Sequence, residues 1–163
     1  MIIFLDNVRS IFNVGAIFRT SDAVGVENLI LAGYTPHPPE KKLIKTSLGA
    51  IDYINYEHVL EEKKLQCLID YKNRQYKIIS VEQTPDSICY TEASTQNLLS
   101  WDKTIYIFGN EIVGVSKEIL DISHTIVDIP MNGKKNSLNI SVTVGIISYE
   151  SRKYKSNTTR KES

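Results

Sequence analysis

Residues 1–31 read MIIFLDNVRSIFNVGAIFRTSDAVGVENLIL, and this stretch decides the fold class. Ile2–Leu5 and Asn28–Leu31 are short apolar runs bounded by polar residues or glycine, the pattern of buried strands. Between them, Val14, Ile17 and Phe18 fall on one face of a helix that Asn13 is placed to cap. A strand, a helix and a second strand in so few residues imply parallel pairing, with the helix laid over the sheet.

The same alternation continues. Lys77–Val81, Thr104–Phe108 and Thr125–Ile129 read as further buried strands. A helix is expected over His58–Arg74, with Leu60, Cys67, Leu68 and Tyr71 on one stripe, and a shorter one from Ser116 through Leu120. The expected class is therefore α/β, a mostly parallel sheet flanked by helices. Leu138–Ile146 fits two readings. Its β-branched residues alternate with period two, as in a strand. Its place after a glycine-containing loop, and its polar continuation through Glu150-Ser151-Arg152-Lys153, suit a C-terminal helix.

Length and composition narrow the function classes. A chain of 163 residues, 42% hydrophobic and 23% charged, with 8 Gly and 5 Pro, fits one globular domain and excludes disordered or collagenous protein. Nineteen basic residues balance nineteen acidic ones, so any nucleic-acid binding must use a local patch. Cys67 and Cys89 form no framework, and His37, His58 and His124 lack metal-ligand spacing. The expectation is a reduced, cytoplasmic, soluble chain without a metal. The first residues have no basic region of a signal peptide, and no apolar run approaches the roughly 18–20 residues of a membrane span.

Ligands of open α/β sheets collect beyond the carboxyl ends of the strands. Three expected strand ends run into loops with chemistry: Glu82-Gln83-Thr84-Pro85, Gly109-Asn110-Glu111-Ile112-Val113-Gly114, and Pro130-Met131-Asn132-Gly133-Lys134-Lys135. Neither GxGxxG nor GxxxxGK[ST] is present, which disfavours a nicotinamide or nucleoside-triphosphate cofactor. A fourth cluster contains Asn7, Arg9, Asn13, Arg19, Thr20 and Asp22. Two of the chain's five arginines fall there within eleven residues, and arginine is the side chain that forks onto phosphate. The plain alternative for Arg19 is an intrahelical pair with Asp22. Cys67 and Trp101 read as packing residues, His37 as a loop residue, His124 as the close of a helix, and Lys41, Lys42 and Lys45 as a solvated face. Glu111, between two glycines, is the one carboxylate that does not read as ordinary surface.

Three segments together resemble the SpoU/TrmH-type RNA ribose methyltransferases. The first runs from Asn7 to Val26 and holds Asn13-Val-Gly-Ala-Ile-Phe-Arg19. The second is Phe108-Gly-Asn-Glu-Ile-Val-Gly-Val-Ser-Lys-Glu118. The third is Ile129-Pro-Met-Asn-Gly-Lys-Lys-Asn-Ser-Leu-Asn-Ile-Ser-Val142. Each is weak alone, but their order and spacing match from residue 2 to about residue 150.

The resemblance implies a SPOUT fold with a C-terminal deep trefoil knot, a homodimer, and S-adenosylmethionine as methyl donor to a ribose 2′-hydroxyl of tRNA or rRNA. It also implies a single methyltransferase domain over residues 1–151, followed by a polar basic tail at 152–163, and a helical reading of the segment after Asn139. By matching motif positions, Arg19, Asn13, Glu111, Ser137 and Asn139 form the catalytic set. Gly109, Ile129 and Leu138 line the donor pocket, with Gln83, Thr84, Asn110, Gly114 and Met131 beside them. A guanidinium is very hard to deprotonate. Arg19 is therefore expected to grip the target phosphate and stabilise the developing alkoxide, which leaves the proton acceptor open. Because residue 2 already begins the first strand, RNA recognition is expected to fall to the dimer surface, Lys41–Lys45, Lys134-Lys135 or the tail. Two other classes compete: a non-catalytic RNA-binding or assembly factor on the same fold, and a small-molecule nucleotide-binding α/β protein.

Overall fold

The computed structural model describes residues 1–155. Seven strands form one sheet in the order β3-β2-β1-β6-β4-β7-β5, and every pairing is parallel. They are β1 (Ile2–Asp6), β2 (Asn28–Ala32), β3 (Tyr56–Val59), β4 (Lys77–Val81), β5 (Ile88–Cys89), β6 (Thr104–Phe108) and β7 (Thr125–Asp128). The helices are α1 (Ile11–Val24), α2 (Lys41–Ser47), α3 (Lys64–Asn73), α4 (Tyr90–Thr95), α5 (Lys117–Ile122) and α6 (Ile140–Arg152).

Alternate side chains of each inner strand enter opposite cores, as the pleat requires. Ile3, Leu5, Leu29, Leu31, Tyr106 and Phe108 face a core shared with α1 and α6, through Val14, Ile17, Phe18, Val144 and Ile147. Ile2, Phe4, Ile30, Ile78, Ile105 and Ile107 face a second core closed by Leu68 of α3 and Ile119 of α5. Burial on both faces explains why these strands read as continuous apolar runs.

Several elements differ from the sequence expectation. Ser10, not Asn13, caps α1: its Oγ accepts from the Asn13 N–H at 3.3 Å. Gly25 closes the helix in the left-handed region (φ 78°), where a Cβ would be strained. The helix expected over His58–Arg74 breaks in two. Tyr56–Val59 adds to β2 as an edge strand, and the helix starts at Lys64. Leu60 is exposed in the turn between them and not on the buried stripe. Strand β7 ends at Asp128, one residue before the expected Ile129.

The ambiguous segment is helical from Ile140. Asn139 caps it, its Oδ1 accepting from the Ser141 N–H at 2.8 Å. Its buried residues are Ile140, Val144, Ile147, Ser148 and Ser151, a helical stripe that overrides β propensity. Helix α2 crosses α1 at Gly15, where a Cβ would meet the Thr46 backbone at 2.9 Å. Of the expected tail, Arg152 ends α6 and its guanidinium donates to the Val24 carbonyl. Residues 156–163 lie outside the described residues.

Candidate active site

Four neighbouring strands, β1, β6, β4 and β7, end on the same edge of the sheet, and polar groups of the chain hold the loops that follow. Asp6, buried at the end of β1, accepts from the Ser116 N–H at 2.9 Å and the Ser116 hydroxyl at 2.7 Å. Its other oxygen receives the Lys64 ammonium at 2.9 Å. Lys64 is 3% exposed. Burial opposes its charge, yet its bonds to Glu61 and Asp6 hold its pKa above the ordinary lysine value. Glu82, after β4, accepts from the N–H groups of Gln83 at 3.0 Å and Val115 at 2.9 Å.

The loop after β6 is built around Asn110. This buried amide donates to the Asn7 carbonyl and the Tyr34 hydroxyl, each at 2.8 Å, and accepts from the N–H groups of Ile112 at 2.8 Å and Val113 at 3.0 Å. Gly114 closes the turn at φ 74°, exchanging backbone hydrogen bonds with Asn110. A side chain at Gly114 would also collide with the Glu82 carboxylate.

This turn aims Glu111 at the start of α1. Its carboxylate accepts from the N–H groups of Arg9 at 2.8 Å and Ser10 at 3.0 Å and from the Asn13 amide at 3.1 Å. Burial pushes the Glu111 pKa up, but these donors, together with its own N–H, hold it below the usual carboxylate value. With its oxygens so engaged, Glu111 is an anchor. The Asn139 amide in turn donates to Asn13 Oδ1 at 3.1 Å. A chain of hydrogen bonds, Asn139 to Asn13 to Glu111, thus joins all three sequence motifs.

Beside that chain lies a cleft of about 680 Å³, within the range of small-molecule sites. Val81, Phe108, Leu138 and Ile140 supply its apolar lining, with Gly109 and Gly114 alongside. Gln83, Asn136 and Ser137 also line it. A smaller adjoining space of about 120 Å³ adds Ile129 and Met131. Of the expected donor-pocket residues, Thr84 alone lines neither space; its hydroxyl is buried without a partner among the described residues. Of the expected catalytic set, Asn13, Glu111, Ser137 and Asn139 line the cleft.

Arg19 does not. It is exposed on α1, outside the lining of its own chain's cleft, and forms neither a hydrogen bond nor an ion pair among the described residues. The expected Arg19–Asp22 pair is likewise absent among them. Sequence reasoning missed Asp6, Glu82 and Lys64, which position the loops. The carboxylates at the end of β1 and directly after β4 were the available signal.

The remaining candidates fall elsewhere. Trp101 is fully buried. Cys67 is pushed up to about 11 by burial and by the Glu57 and Asp70 carboxylates, so its thiol is not a nucleophile at neutral pH. His37 stacks on His58, with ring centroids 3.7 Å apart. His124 Nδ1 accepts from the Ile78 N–H at 2.9 Å. Among the described residues, no group of three His, Cys, Asp or Glu side chains is gathered to hold a metal, and no helix is long and apolar enough to cross a membrane.

Residues 1–149 match the SpoU rRNA Methylase family. The chain belongs to that family. It is 35% identical over 154 residues to the tRNA (guanosine(18)-2′-O)-methyltransferase of Aquifex aeolicus, covering 94% of this chain and 69% of that enzyme. It is 31% identical to the enzyme of the same description from Borreliella burgdorferi, covering 89% of this chain and 62% of the relative. The crystal structure of the A. aeolicus TrmH/SpoU tRNA modifying enzyme has a TM-score of 0.78, covering 94% of this chain and 74% of that one. An AdoMet-bound rRNA methyltransferase from Sinorhizobium meliloti gives 0.82 at 25% identity, covering 96% and 57%. The chain spans 69% of the Aquifex enzyme and 52% to 62% of the other curated relatives compared. The observed α/β sheet is thus that of a SpoU-family protein.

Proposed function

We propose that this chain is an S-adenosylmethionine-dependent RNA 2′-O-ribose methyltransferase. The observation that carries the reading is the hydrogen-bond chain Asn139–Asn13–Glu111, which ties the three motifs together along the wall of a cleft at the strand carboxyl ends. The cleft suits the donor: an apolar lining from Val81, Phe108 and Leu138, and side chains of Gln83, Asn136 and Ser137 that carry no hydrogen bond among the described residues. When bound, S-adenosylmethionine supplies a methyl group on a cationic sulfonium. The residues of the chain orient and stabilise. Ser137 and Leu138 contact the donor side of the reaction, while Glu111 and Asn13 fix the edge of the cleft at which acceptor and donor meet.

Arg19 serves the acceptor side as a phosphate clamp and charge stabiliser. Since it lies outside its own chain's cleft, we assign it to the cleft of a second copy. The faces of α1 and α6 support such a homodimer, because they expose Phe12, Val142 and Tyr149, large apolar side chains that water does not favour. The family's trefoil knot belongs to the same reading; the insertion of β6 between β1 and β4, and of β7 between β4 and β5, supports it. The substrate is tRNA or rRNA, met in the cytoplasm.

The test is incubation of the purified chain with labelled methyl donor and unmodified tRNA and rRNA transcripts. The modified position is then mapped by its resistance to alkaline hydrolysis. Incorporation at a single ribose is expected. Binding of the donor without incorporation into any RNA would overturn the catalytic reading in favour of a non-catalytic RNA-binding factor.

A further inference from the structure

Across the Glu111–Asn13 wall from the donor cleft lies a second concavity, of about 440 Å³, lined by Arg9, Ser10, Asn13, Glu111 and Ile112. Arg9 is exposed there. Its backbone N–H is held by Glu111, while its guanidinium has no hydrogen bond or ion pair among the described residues. The nearby carboxylates are already engaged, Glu111 by backbone donors and Glu61 by Asn7 and Lys64. A free guanidinium in such surroundings seeks an anion from outside the chain.

Tyr34, just past the end of β2, is 61% exposed. The residue is nonetheless tethered, by its backbone and by its hydroxyl. The Tyr34 N–H donates to Asn7 Oδ1 at 3.1 Å, and its hydroxyl accepts from Asn110 Nδ2 at 2.8 Å. The same Asn110 nitrogen donates to the Asn7 carbonyl, two residues before Arg9. The ring, the Arg9 backbone and the wall of the concavity therefore share one hydrogen-bonded frame. An exposed aromatic face held still by a buried amide loses little freedom when something stacks on it.

We propose that Tyr34 and Arg9 form a subsite for an unpaired RNA nucleotide beside the one that is methylated. The base stacks on the Tyr34 ring and the phosphate lies against Arg9. This rests on the RNA-methylating reading above. The chemistry is that of single-stranded RNA recognition, in which splayed bases stack on aromatic rings and arginine takes the backbone phosphates. The Glu111–Asn13 edge, shared by the two concavities, is then where the bound RNA comes up to the donor.

The test uses the full chain with donor present and a short single-stranded RNA carrying 2-aminopurine. Tyr34→Ala is expected to weaken RNA affinity about tenfold, the loss of one stacked base, and to abolish the quenching of the probe. Tyr34→Leu, which keeps bulk without a π face, should behave the same way. Tyr34→Phe, which keeps the π face and loses only the Asn110 tether, should keep the quenching and most of the affinity. Arg9→Ala should lower the slope of log affinity against log salt by about 0.7, one phosphate on a single strand. Donor affinity should be unchanged in all four variants. RNA affinity that survives Tyr34→Ala would overturn the proposal. So would a Tyr34→Phe variant as weak as Tyr34→Ala, or a parallel loss of donor affinity, which is what a purely structural role through Asn110 would give. Wild-type methyl transfer to an unmodified transcript is measured separately. Quenching through Tyr34 without methyl transfer keeps the subsite and removes the reaction; methyl transfer with an unimpaired Tyr34→Ala variant does the reverse.

Discussion

Replacing Glu111 by glutamine tests the anchor at the centre of the site. The carboxylate serves two backbone N–H groups through different oxygens, Arg9 through Oε2 and Ser10 through Oε1. A glutamine has one acceptor oxygen, so in either orientation its amide nitrogen faces one of those donors. The variant loses one hydrogen bond to a charged group, at the low end of about 1.5–3 kcal/mol because the contact is solvent-exposed. It also loses a negative charge beside a helix start, about 0.5 kcal/mol. Together these give about 2 kcal/mol, or a fall in melting temperature of about 4–8 °C for a domain of this size.

The deficit should depend on pH, in a direction set by linkage. The Glu111 pKa is lowered in the folded chain from its model-compound value of 4.5. Its contribution is therefore fully present above about pH 4.5 and disappears as pH falls through the lower folded value. Thermal unfolding of wild type and Glu111→Gln, followed by circular dichroism from pH 7 down to about pH 3, should show two curves that converge in acid. Equal melting temperatures at neutral pH would refute the anchoring role. A deficit that persists undiminished at the acid end would show that the carboxylate charge is not its source.

Arg19→Ala should leave melting within about 0.5 kcal/mol of wild type and cut single-turnover methyl transfer about 10²–10³-fold; Arg19→Lys, lacking the planar fork, should retain a small fraction of activity. Asp6→Asn should cost about 3 kcal/mol by urea denaturation, because it strips the buried Lys64 of one of its two carboxylates. Gly15→Ala should cost about 1–3 kcal/mol by the same assay, since the new methyl meets the backbone of Thr46. Leu138→Asp should weaken donor binding by calorimetry with an unchanged melting temperature, its side chain being half-exposed in the cleft.

The parts of the fold legible in the sequence were those where burial alone decides structure. β1, β2, β4 and β6 are buried on both faces along nearly their whole length, so their apolar runs announce them. Strand β3 did not, because Tyr56, Glu57 and His58 are exposed and its place is set by pairing with β2 at the sheet edge. The start of the helix expected across His58–Arg74 was misplaced for the same reason, although Cys67, Leu68 and Tyr71 of its stripe do pack on the second core. Its boundary is set by an edge-strand partnership and by Lys64, whose burial depends on Asp6, a residue far away in sequence. α6 shows the converse, a β-like pattern turned helical by a cap at Asn139 and a buried stripe. In the site, spacing pointed to Glu111, Asn13 and Asn139 through the family resemblance. It could not reveal that these three bond to one another, since that contact spans 126 residues from Asn13 to Asn139.

The hydrogen-bond inventory of the strand-end loops separates scaffold from working parts. Asp6, Asn110 and Glu111 each have their polar atoms engaged by the chain itself, across the gaps between β1, β6 and the first helix. Groups so satisfied gain nothing further from a ligand, and moving them would orphan buried donors. The polar side chains of Gln83, Asn136 and Ser137 at the donor cleft, together with Arg9 and Arg19, have no such partners among the described residues. A preorganised site needs this division, because a donor aimed at a reacting centre must be free to bond to it while its supports are fixed. The lysines of α2 are exposed as well, but Lys42 already lies over the Phe12 ring at 4.7 Å. Free side chains thus line both of the concavities that share Asn13 and Glu111, Gln83, Asn136 and Ser137 in the larger one and Arg9 in the smaller. Arg19, free but turned outward, lines neither concavity of its own chain, which is why the proposed function assigns it to the cleft of a second copy.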